Sequence, residues 1–151
     1  MSTIQVQEII SRPIGTVFAL ITDLASYHQW LPASSLYSAV SDVSQNPIQV
    51  GTAYVDRGRS SVMQGLVTEL VPPTDVMFEQ SARVKMLGLP STLKVRVRYN
   101  LQAVGPETQV IRRSTLHIRG PLIVFAPMLL RAIATENRRI LSSMKRYLEA
   151  R

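Results

Sequence analysis

Cysteine is absent from the sequence, and only two histidines occur, His28 and His117. The lack of cysteine excludes a disulfide-bonded scaffold, a thiol nucleophile and any metal site built on thiolates. Two histidines far apart in the sequence cannot supply a three-histidine metal site, and the sequence has no H-E-x-x-H pair. We therefore expect neither a metal ion nor a cofactor.

Motifs of the common nucleotide-binding and hydrolytic enzymes are also missing. The seven glycines form neither G-x-G-x-x-G nor a phosphate-binding loop, and no serine lies in a G-x-S-x-G turn. The longest apolar run, residues 121–130, has about half of the roughly 20 residues that span a bilayer. The N-terminus lacks the basic start and apolar stretch of a secretory signal. These absences identify no catalytic residue, and they favour a soluble, cytoplasmic protein.

The charge is strongly positive and unevenly distributed. The chain carries a net charge of +7, but residues 1–75 have three arginines against six acidic residues, whereas residues 76–151 have fourteen basic residues against four acidic ones. Such asymmetry is typical of contact with nucleic acid or with an anionic membrane. The basic residues alternate with core positions, however, and lack the interleaved exposed aromatic residues on which bases stack. We expect no specific binding of nucleic acid.

The order of the structural elements follows from the hydrophobic periodicity. With 46% hydrophobic residues the chain can bury one core, so we expect a single domain over residues 1–151. After a strand at 4–10, one short helix is predicted behind Pro13, and Asp23 is predicted to cap a second that ends near Trp30. Period-two segments predict strands at 35–43, 51–57, 61–71, 75–85, 91–102 and 108–118, and a helical pattern predicts one long helix at 128–149. Short turns between the strands indicate an antiparallel sheet and an α+β fold.

Three stretches of the sequence carry a resemblance to a known family. They are Arg12-Pro13 followed by Val17-Phe18 and Leu20-Ile21-Thr22-Asp23, then Tyr27 with Trp30-Leu31-Pro32, and finally residues 141–150, LSSMKRYLEA. In this order they resemble the START-like superfamily, also called SRPBCC or helix-grip proteins, and within it the polyketide cyclase/dehydrase group. The resemblance implies a helix-grip fold, in which a curved seven-stranded antiparallel sheet wraps around the long C-terminal helix, with two short helices after the first strand.

The resemblance also implies a function. Members of this superfamily bind lipids, sterols, polyketides, hormones or quinones in an apolar cavity, and only some are enzymes, so the fold does not decide the role. We expect binding, and by extension transport, of a small hydrophobic or amphipathic ligand such as a lipid, polyketide or quinone. The alternative is an enzyme, a polyketide aromatase/cyclase or dehydratase. The sequence indicates neither the ligand nor an oligomeric state.

Candidate cavity residues come from the predicted inward faces of the strands and helices. The apolar and aromatic candidates are Phe18, Trp30, Tyr54, Phe78, Val97, Tyr99, Leu129 and Ile133. Gln80 would orient a ligand carbonyl or hydroxyl, or else satisfy a neighbouring backbone group. An inward Arg112 would need a carboxylate such as Glu136 or a ligand acid, and the alternative is a β-bulge that returns Arg112 to solvent. Glu136 would lie over the cavity or at the wet edge of the helix.

Two apolar segments, 87–90 and 121–127, fall where loops are expected. Exposed apolar loops are unusual unless they bury or touch something. We expect the two segments to meet and close one end of the cavity as a lid; alternatively, 121–127 is a short helix packed on the sheet edge. Arg119 and Arg131 flank the second segment, which predicts transient contact with an anionic membrane.

Overall fold

The structure is a computed structural model that describes residues 2–151. In chain order its elements are β1 (Ser2–Ile10), α1 (Ile14–Thr22), a 3₁₀ helix (Leu24–Gln29), β2 (Ala39–Ser41), β3 (Ala53–Arg57), β4 (Val62–Val71), β5 (Asp75–Met86), β6 (Leu89–Val104), β7 (Glu107–Arg119), a second 3₁₀ helix (Pro121–Phe125) and α2 (Ala126–Glu149). The strands form one antiparallel sheet in the order β1-β7-β6-β5-β4-β3-β2. The sheet curves around α2, so the predicted helix-grip fold is confirmed.

The alternation of side chains along the strands gives the sheet one buried face. On β6, Val95, Val97, Tyr99 and Leu101 are buried, whereas Arg96 between them is exposed. No register shift interrupts the pairing of β6 with β7 or of β7 with β1. Residues paired across β6, β7 and β1 therefore point to the same face of the sheet.

The long helix α2 presents an apolar stripe to the sheet. Ile140, Met144 and Leu148 are buried at helical spacing, whereas Arg138 is exposed. At the end of the helix, Arg12 Nε donates a hydrogen bond to the Leu148 carbonyl at 2.8 Å, which ties the helix to the segment after β1. No helix within residues 2–151 combines the length and the hydropathy needed to cross a membrane.

Two predictions about the first third of the chain are wrong. The strand predicted at 35–43 is reduced to β2, because residues 34–37 form a turn around the Ser34 hydroxyl, which accepts hydrogen bonds from the backbone N–H groups of Leu36 and Tyr37. Asp23 occupies the N-cap position of the first 3₁₀ helix, but its side chain makes no capping hydrogen bond; its carboxylate instead accepts a hydrogen bond from Asn46 Nδ2 at 2.9 Å. The turn at 34–37 contributes side chains to the interior, but its backbone does not pair with a strand of the sheet.

The two apolar segments expected to be loops are ordered elements. Leu87 and Gly88 form the tight turn between β5 and β6, with positive φ angles of 54° and 77° that suit a two-residue hairpin. Leu89 and Pro90 already pair with β5. The 3₁₀ helix Pro121–Phe125 replaces the second loop and leads directly into α2. The short helix of the alternative prediction is therefore present, and closure of the cavity by the two segments stays a prediction.

Candidate functional site

A cavity of about 530 Å³ lies between the concave face of the sheet and α2. Most of its wall is apolar, and its charged and amide side chains come from β3, β5, β7 and α2. Nine of the predicted residues line it, namely Tyr54, Phe78, Gln80, Val97, Tyr99, Arg112, Leu129, Ile133 and Glu136. The strand alternation and the helical stripe thus locate most of the wall.

Phe18 and Trp30 are predicted to line the cavity, and this prediction is wrong. Both are buried, with 7% and 5% of their surface exposed, but neither reaches the cavity. Trp30 packs edge-on against Tyr27, with 5.1 Å between the ring centroids, and Tyr27 is the ring that lines the cavity. Phe18 lies on α1, which contacts β6 and β7 in the closed part of the core.

Three aromatic rings form a continuous wall across the sheet. Phe78 meets Tyr54 and Tyr99 edge-to-face, at centroid distances of 5.9 Å and 6.3 Å. The ring of Tyr54 reaches Phe78 by lying over Gly65 on β4, where a Cβ atom would stand 2.2 Å from the ring. Beyond Gly65, Gln80 Nε2 donates a hydrogen bond to Tyr54 Oη at 2.9 Å. Gly65 was not predicted as a site residue, yet the wall depends on its missing side chain.

Arg112 points into the cavity, and the predicted alternative of a bulge is wrong because β7 keeps continuous register with both neighbours. Its Nε donates to Asn137 Oδ1 at 2.9 Å, and its Nη1 donates to Tyr99 Oη. The guanidinium carbon lies 5.0 Å from the centre of the Tyr99 ring, in cation–π geometry. Asn137 in turn donates from Nδ2 to Ser114 Oγ at 2.8 Å. This network joins α2 to β6 and β7 inside the cavity.

Glu136 lines the cavity but does not meet Arg112. Its carboxylate forms an ion pair with Arg139, three residues further along α2, and accepts a hydrogen bond from Ser34 Oγ at 2.7 Å. Arg139 also donates to the carbonyl oxygen of Pro32. The charge of Glu136 is therefore neutralised at the edge of the cavity by a neighbour on its own helix.

Asp56 is a cavity residue that was not predicted. It follows Tyr54 by two positions on β3, so both side chains point to the same face of the sheet, and this alternation is the signal that could have found it. Its Oδ1 atom is buried without a hydrogen-bond partner. Burial raises the pKa of Asp56 to about 6, although the positive charge of Arg112 opposes the rise.

Two phenols near Asp56 remain protonated at neutral pH. Burial raises the pKa of Tyr54 and the pKa of Tyr37, and the neighbouring charge of Asp56 adds to the rise in both. Tyr37 Oη is buried without a partner. Tyr37 enters the cavity from the turn at 34–37, a position that no period-two or helical pattern could have assigned.

The cavity does not present a metal-binding set. Across the chain from residue 2 to residue 151, no three side chains of His, Cys, Asp or Glu lie together in a way that could hold a metal ion. His28 and His117 are both exposed and lie outside the cavity. The groups available for chemistry are the Asp56 carboxyl, the Arg112 guanidinium and the neighbouring amides and phenols.

Comparisons with known proteins agree with this architecture. Residues 1–149 match the family model described as polyketide cyclase / dehydrase and lipid transport. A START superfamily protein from Mycobacterium smegmatis superimposes with a TM-score of 0.74 at 13% identity, over 98% of this chain and 97% of that one. Protein MLL2253 from Mesorhizobium loti gives a TM-score of 0.74 at 14% identity, over 99% of this chain and 98% of that one.

A third similar structure is the Aha1 dimer from Colwellia psychrerythraea, with a TM-score of 0.69 at 17% identity, over 99% of this chain and 97% of that chain. A comparison with curated protein sequences finds no match. At such low identities the similar structures establish the fold, and the match to the family model establishes the family.

Proposed function

Because the chain belongs to the polyketide cyclase / dehydrase and lipid transport family, we propose that it binds a small hydrophobic or amphipathic molecule in the cavity between the sheet and α2. The observation that carries the proposal is a largely apolar cavity of about 530 Å³ with a few convergent polar groups, which is typical of a small-molecule site. A lipid, a polyketide or a quinone has this character. We further propose that residues 1–151 act as one ligand-binding domain in the cytoplasm.

The aromatic wall would supply most of the affinity. Removing apolar surface from water contributes about 25 cal/mol per Å², and the rings of Tyr54, Phe78 and Tyr99 offer a broad surface for a flat or chain-like ligand. The polar groups would then orient the ligand, since an unpaired polar atom in an apolar cavity is costly. Mass spectrometry of the purified protein under native conditions would identify a ligand that is retained from the cell.

Filling the cavity is expected to abolish binding. N-phenyl-1-naphthylamine is a neutral fluorophore that brightens in apolar surroundings, and it should bind the protein saturably at one site. Ala82 lines the cavity on β5, so Ala82→Trp should weaken this binding by at least about tenfold, because the indole would occupy the space of the fluorophore. Ser81→Trp, on the outward face of the same strand, is the matched control. Equal binding by the two variants would contradict a site in the cavity.

An enzyme is the alternative, and Asp56 is the observation that favours it. A carboxyl with a pKa of about 6 is suited to general base catalysis near neutral pH. The Asp56 carboxylate would take a proton from a CH₂ group between two ketones, and the electron pair would move to a ketone oxygen stabilised by Arg112. The enolate carbon would attack another carbonyl of the same chain to form a C–C bond, and the new alkoxide would regain the proton from Asp56. A polyketide synthase gene beside the gene for this protein would favour this alternative over binding.

We also propose that ligand is exchanged at an anionic membrane through an exposed apolar tip, made of Leu87, Leu89, Ile123, Val124, Phe125 and Met128. The second 3₁₀ helix contacts β5 and β6, the strands that the hairpin turn joins, and the Leu122 N–H donates a hydrogen bond to Ser91 Oγ at 3.0 Å. The tip is accompanied by four exposed cations, Arg83, Lys85, Arg119 and Arg131, and no acidic residue occurs in 80–106 or 108–135. Apolar side chains with unopposed cations complement an anionic bilayer.

Binding to vesicles tests the tip directly. The protein should bind vesicles of phosphatidylcholine mixed with phosphatidylserine at low salt, and added salt should weaken the binding because the cations are screened. Replacing Phe125, in the 3₁₀ helix, with serine should weaken binding several-fold, whereas Val71→Ser, at an exposed valine outside the tip, should not. Failure to bind at low salt, or equal binding by the two variants, would contradict the membrane proposal and leave the cavity proposal intact.

A further inference from the structure

The guanidinium of Arg112 is a charge in the cavity that the protein does not neutralise. Among residues 2–151, no carboxylate oxygen lies within 4.0 Å of its nitrogens. Its two partners are neutral, the amide oxygen of Asn137 and the phenol of Tyr99. Arg112 Nη2 donates no hydrogen bond to any acceptor among these residues. A half-buried cation is expected to find a counter-charge, because removing it from water is costly.

The two carboxyls that line the cavity do not serve as this counter-charge. Glu136 is already paired with Arg139. Burial raises the pKa of Asp56 and the charge of Arg112 acts to lower it, but no oxygen of Asp56 lies within 4.0 Å of an Arg112 nitrogen. The hydrogen bonds from Arg112 to Asn137 and Tyr99 hold the guanidinium in place and leave Nη2 without a hydrogen-bond partner among residues 2–151.

We propose that the ligand is an acidic amphiphile whose carboxylate binds Arg112, while its apolar body lies against the aromatic wall. The proposal rests on the binding function proposed above and names the ligand class of the same cavity. A guanidinium binds a planar carboxylate through two parallel N–H donors, and Arg112 retains both N–H donors of Nη2 and one of Nη1 for such a contact. A phosphate, with a charge near −2, would call for more cations than this single guanidinium.

A matched pair of probes separates the charge of the ligand from its shape. 2-Naphthoate and 2-naphthamide have nearly the same size, but only the first is anionic at neutral pH. Both would be titrated against the bound neutral fluorophore N-phenyl-1-naphthylamine. We expect 2-naphthoate to displace the fluorophore at a concentration about 10- to 100-fold lower than 2-naphthamide, which is the range of a charge-assisted hydrogen-bonded pair.

Substitutions at Arg112 and at Asp56 should shift this preference in opposite directions. Arg112→Met should bring the ratio of the two probes close to one, and Arg112→Lys should retain part of the preference because it keeps the charge without the planar fork. Asp56→Asn should widen the preference, because it removes a negative charge that repels the bound anion. Thermal unfolding and fluorophore binding would show whether Arg112→Met still folds with an intact cavity. If it does not, the preference for 2-naphthoate over 2-naphthamide in the wild-type protein and in Asp56→Asn tests the proposal instead.

The outcomes separate this inference from the proposed function. If the fluorophore binds but the two probes displace it equally well from the wild-type protein, the acidic ligand is wrong and the apolar binding site stands. An unchanged ratio in a folded Arg112→Met variant would likewise overturn the role of Arg112. If neither the fluorophore nor the probes bind, the proposed function itself fails.

Discussion

Leu101→Asp is expected to unfold the protein, whereas Gln102→Asp, one position away on β6, should leave its stability nearly unchanged. Leu101 is 2% exposed and pairs across the sheet with the fully buried Val110. It does not line the cavity but belongs to the buried apolar core, so an aspartate there would be enclosed by apolar side chains. Burying an unpaired charge in such a place costs about 4 kcal/mol or more, a large share of the stability of a domain. Gln102 is exposed, and a change at its position should stay within about 0.5 kcal/mol.

Chemical denaturation of the two variants beside the wild-type protein measures this difference. The midpoint for Gln102→Asp should match that of the wild-type protein, and Leu101→Asp should show either a greatly reduced midpoint or no folded baseline. Similar midpoints for the two variants would contradict the inward and outward assignment of every residue on β6, because side chains alternate between the two faces of a strand.

Asp56→Asn is expected to stabilise the protein at neutral pH. Burial raises the pKa of Asp56 from 3.8 to about 6, so the folded state holds the proton more tightly than the unfolded state. The contribution of this carboxyl to stability is therefore greatest below about pH 4 and is lost as the pH rises to about 6. The full shift corresponds to a loss of roughly 3 kcal/mol, at about 1.36 kcal/mol per pKa unit. Asparagine carries no charge and should avoid this loss.

The measurement is the difference in unfolding free energy between variant and wild-type protein as a function of pH. The difference should be small near pH 4 and should approach roughly 3 kcal/mol in favour of Asp56→Asn above pH 7. Asp42→Asn is the control, because the side chain of Asp42 is 69% exposed and its ion pair with Arg57 contributes little. A variant that is no more stable than the wild-type protein at pH 8 would show that Asp56 is not a destabilising charge.

Such a destabilising carboxyl bears on function. A protein that keeps a buried carboxyl with an unpartnered oxygen beside a cavity gives up stability at that position. The two functions proposed above give Asp56 different roles. In a binding protein its charge would repel a bound acid and so set the affinity, whereas in an enzyme it would remove a proton from the substrate during cyclisation. The preference of the Asp56→Asn variant for 2-naphthoate over 2-naphthamide addresses the first use.

The hydrophobic pattern of the sequence predicted correctly the strands and helices in which that pattern is long and unbroken. Residues 93–101 alternate strictly, and β6 contains them with the predicted face buried. The apolar stripe of the last helix predicted α2 to within two residues at its start. Nine cavity residues followed from the alternation along the strands, from the position of the last helix and from the family resemblance, because a residue's face is determined locally once the element is known.

Patterns of hydrophobicity failed where individual side-chain contacts decide the outcome. The segment at 35–43 has the composition of a strand, but the Ser34 hydroxyl binds its backbone and leaves only β2 to pair. Trp30 and Tyr27 are equally aromatic and three residues apart, and only their packing decides that Tyr27 lines the cavity. Gly65 is one glycine among seven in the sequence, and its role appears only when Tyr54 is seen lying over it.

The sequence by itself determined the α+β class, the order of the elements and the parity of the main strands, because hydrophobic periodicity is a property of neighbouring residues. The tertiary structure alone decided the polar chemistry of the cavity. Arg112 could have paired with Glu136, been turned to solvent by a β-bulge, or bonded to neutral groups. The register of β7 and the pairing of Glu136 with Arg139 on α2 decided between these. A buried charge is governed by the groups that the fold brings to it, and those groups come from β6, β7 and α2, which lie far apart along the chain.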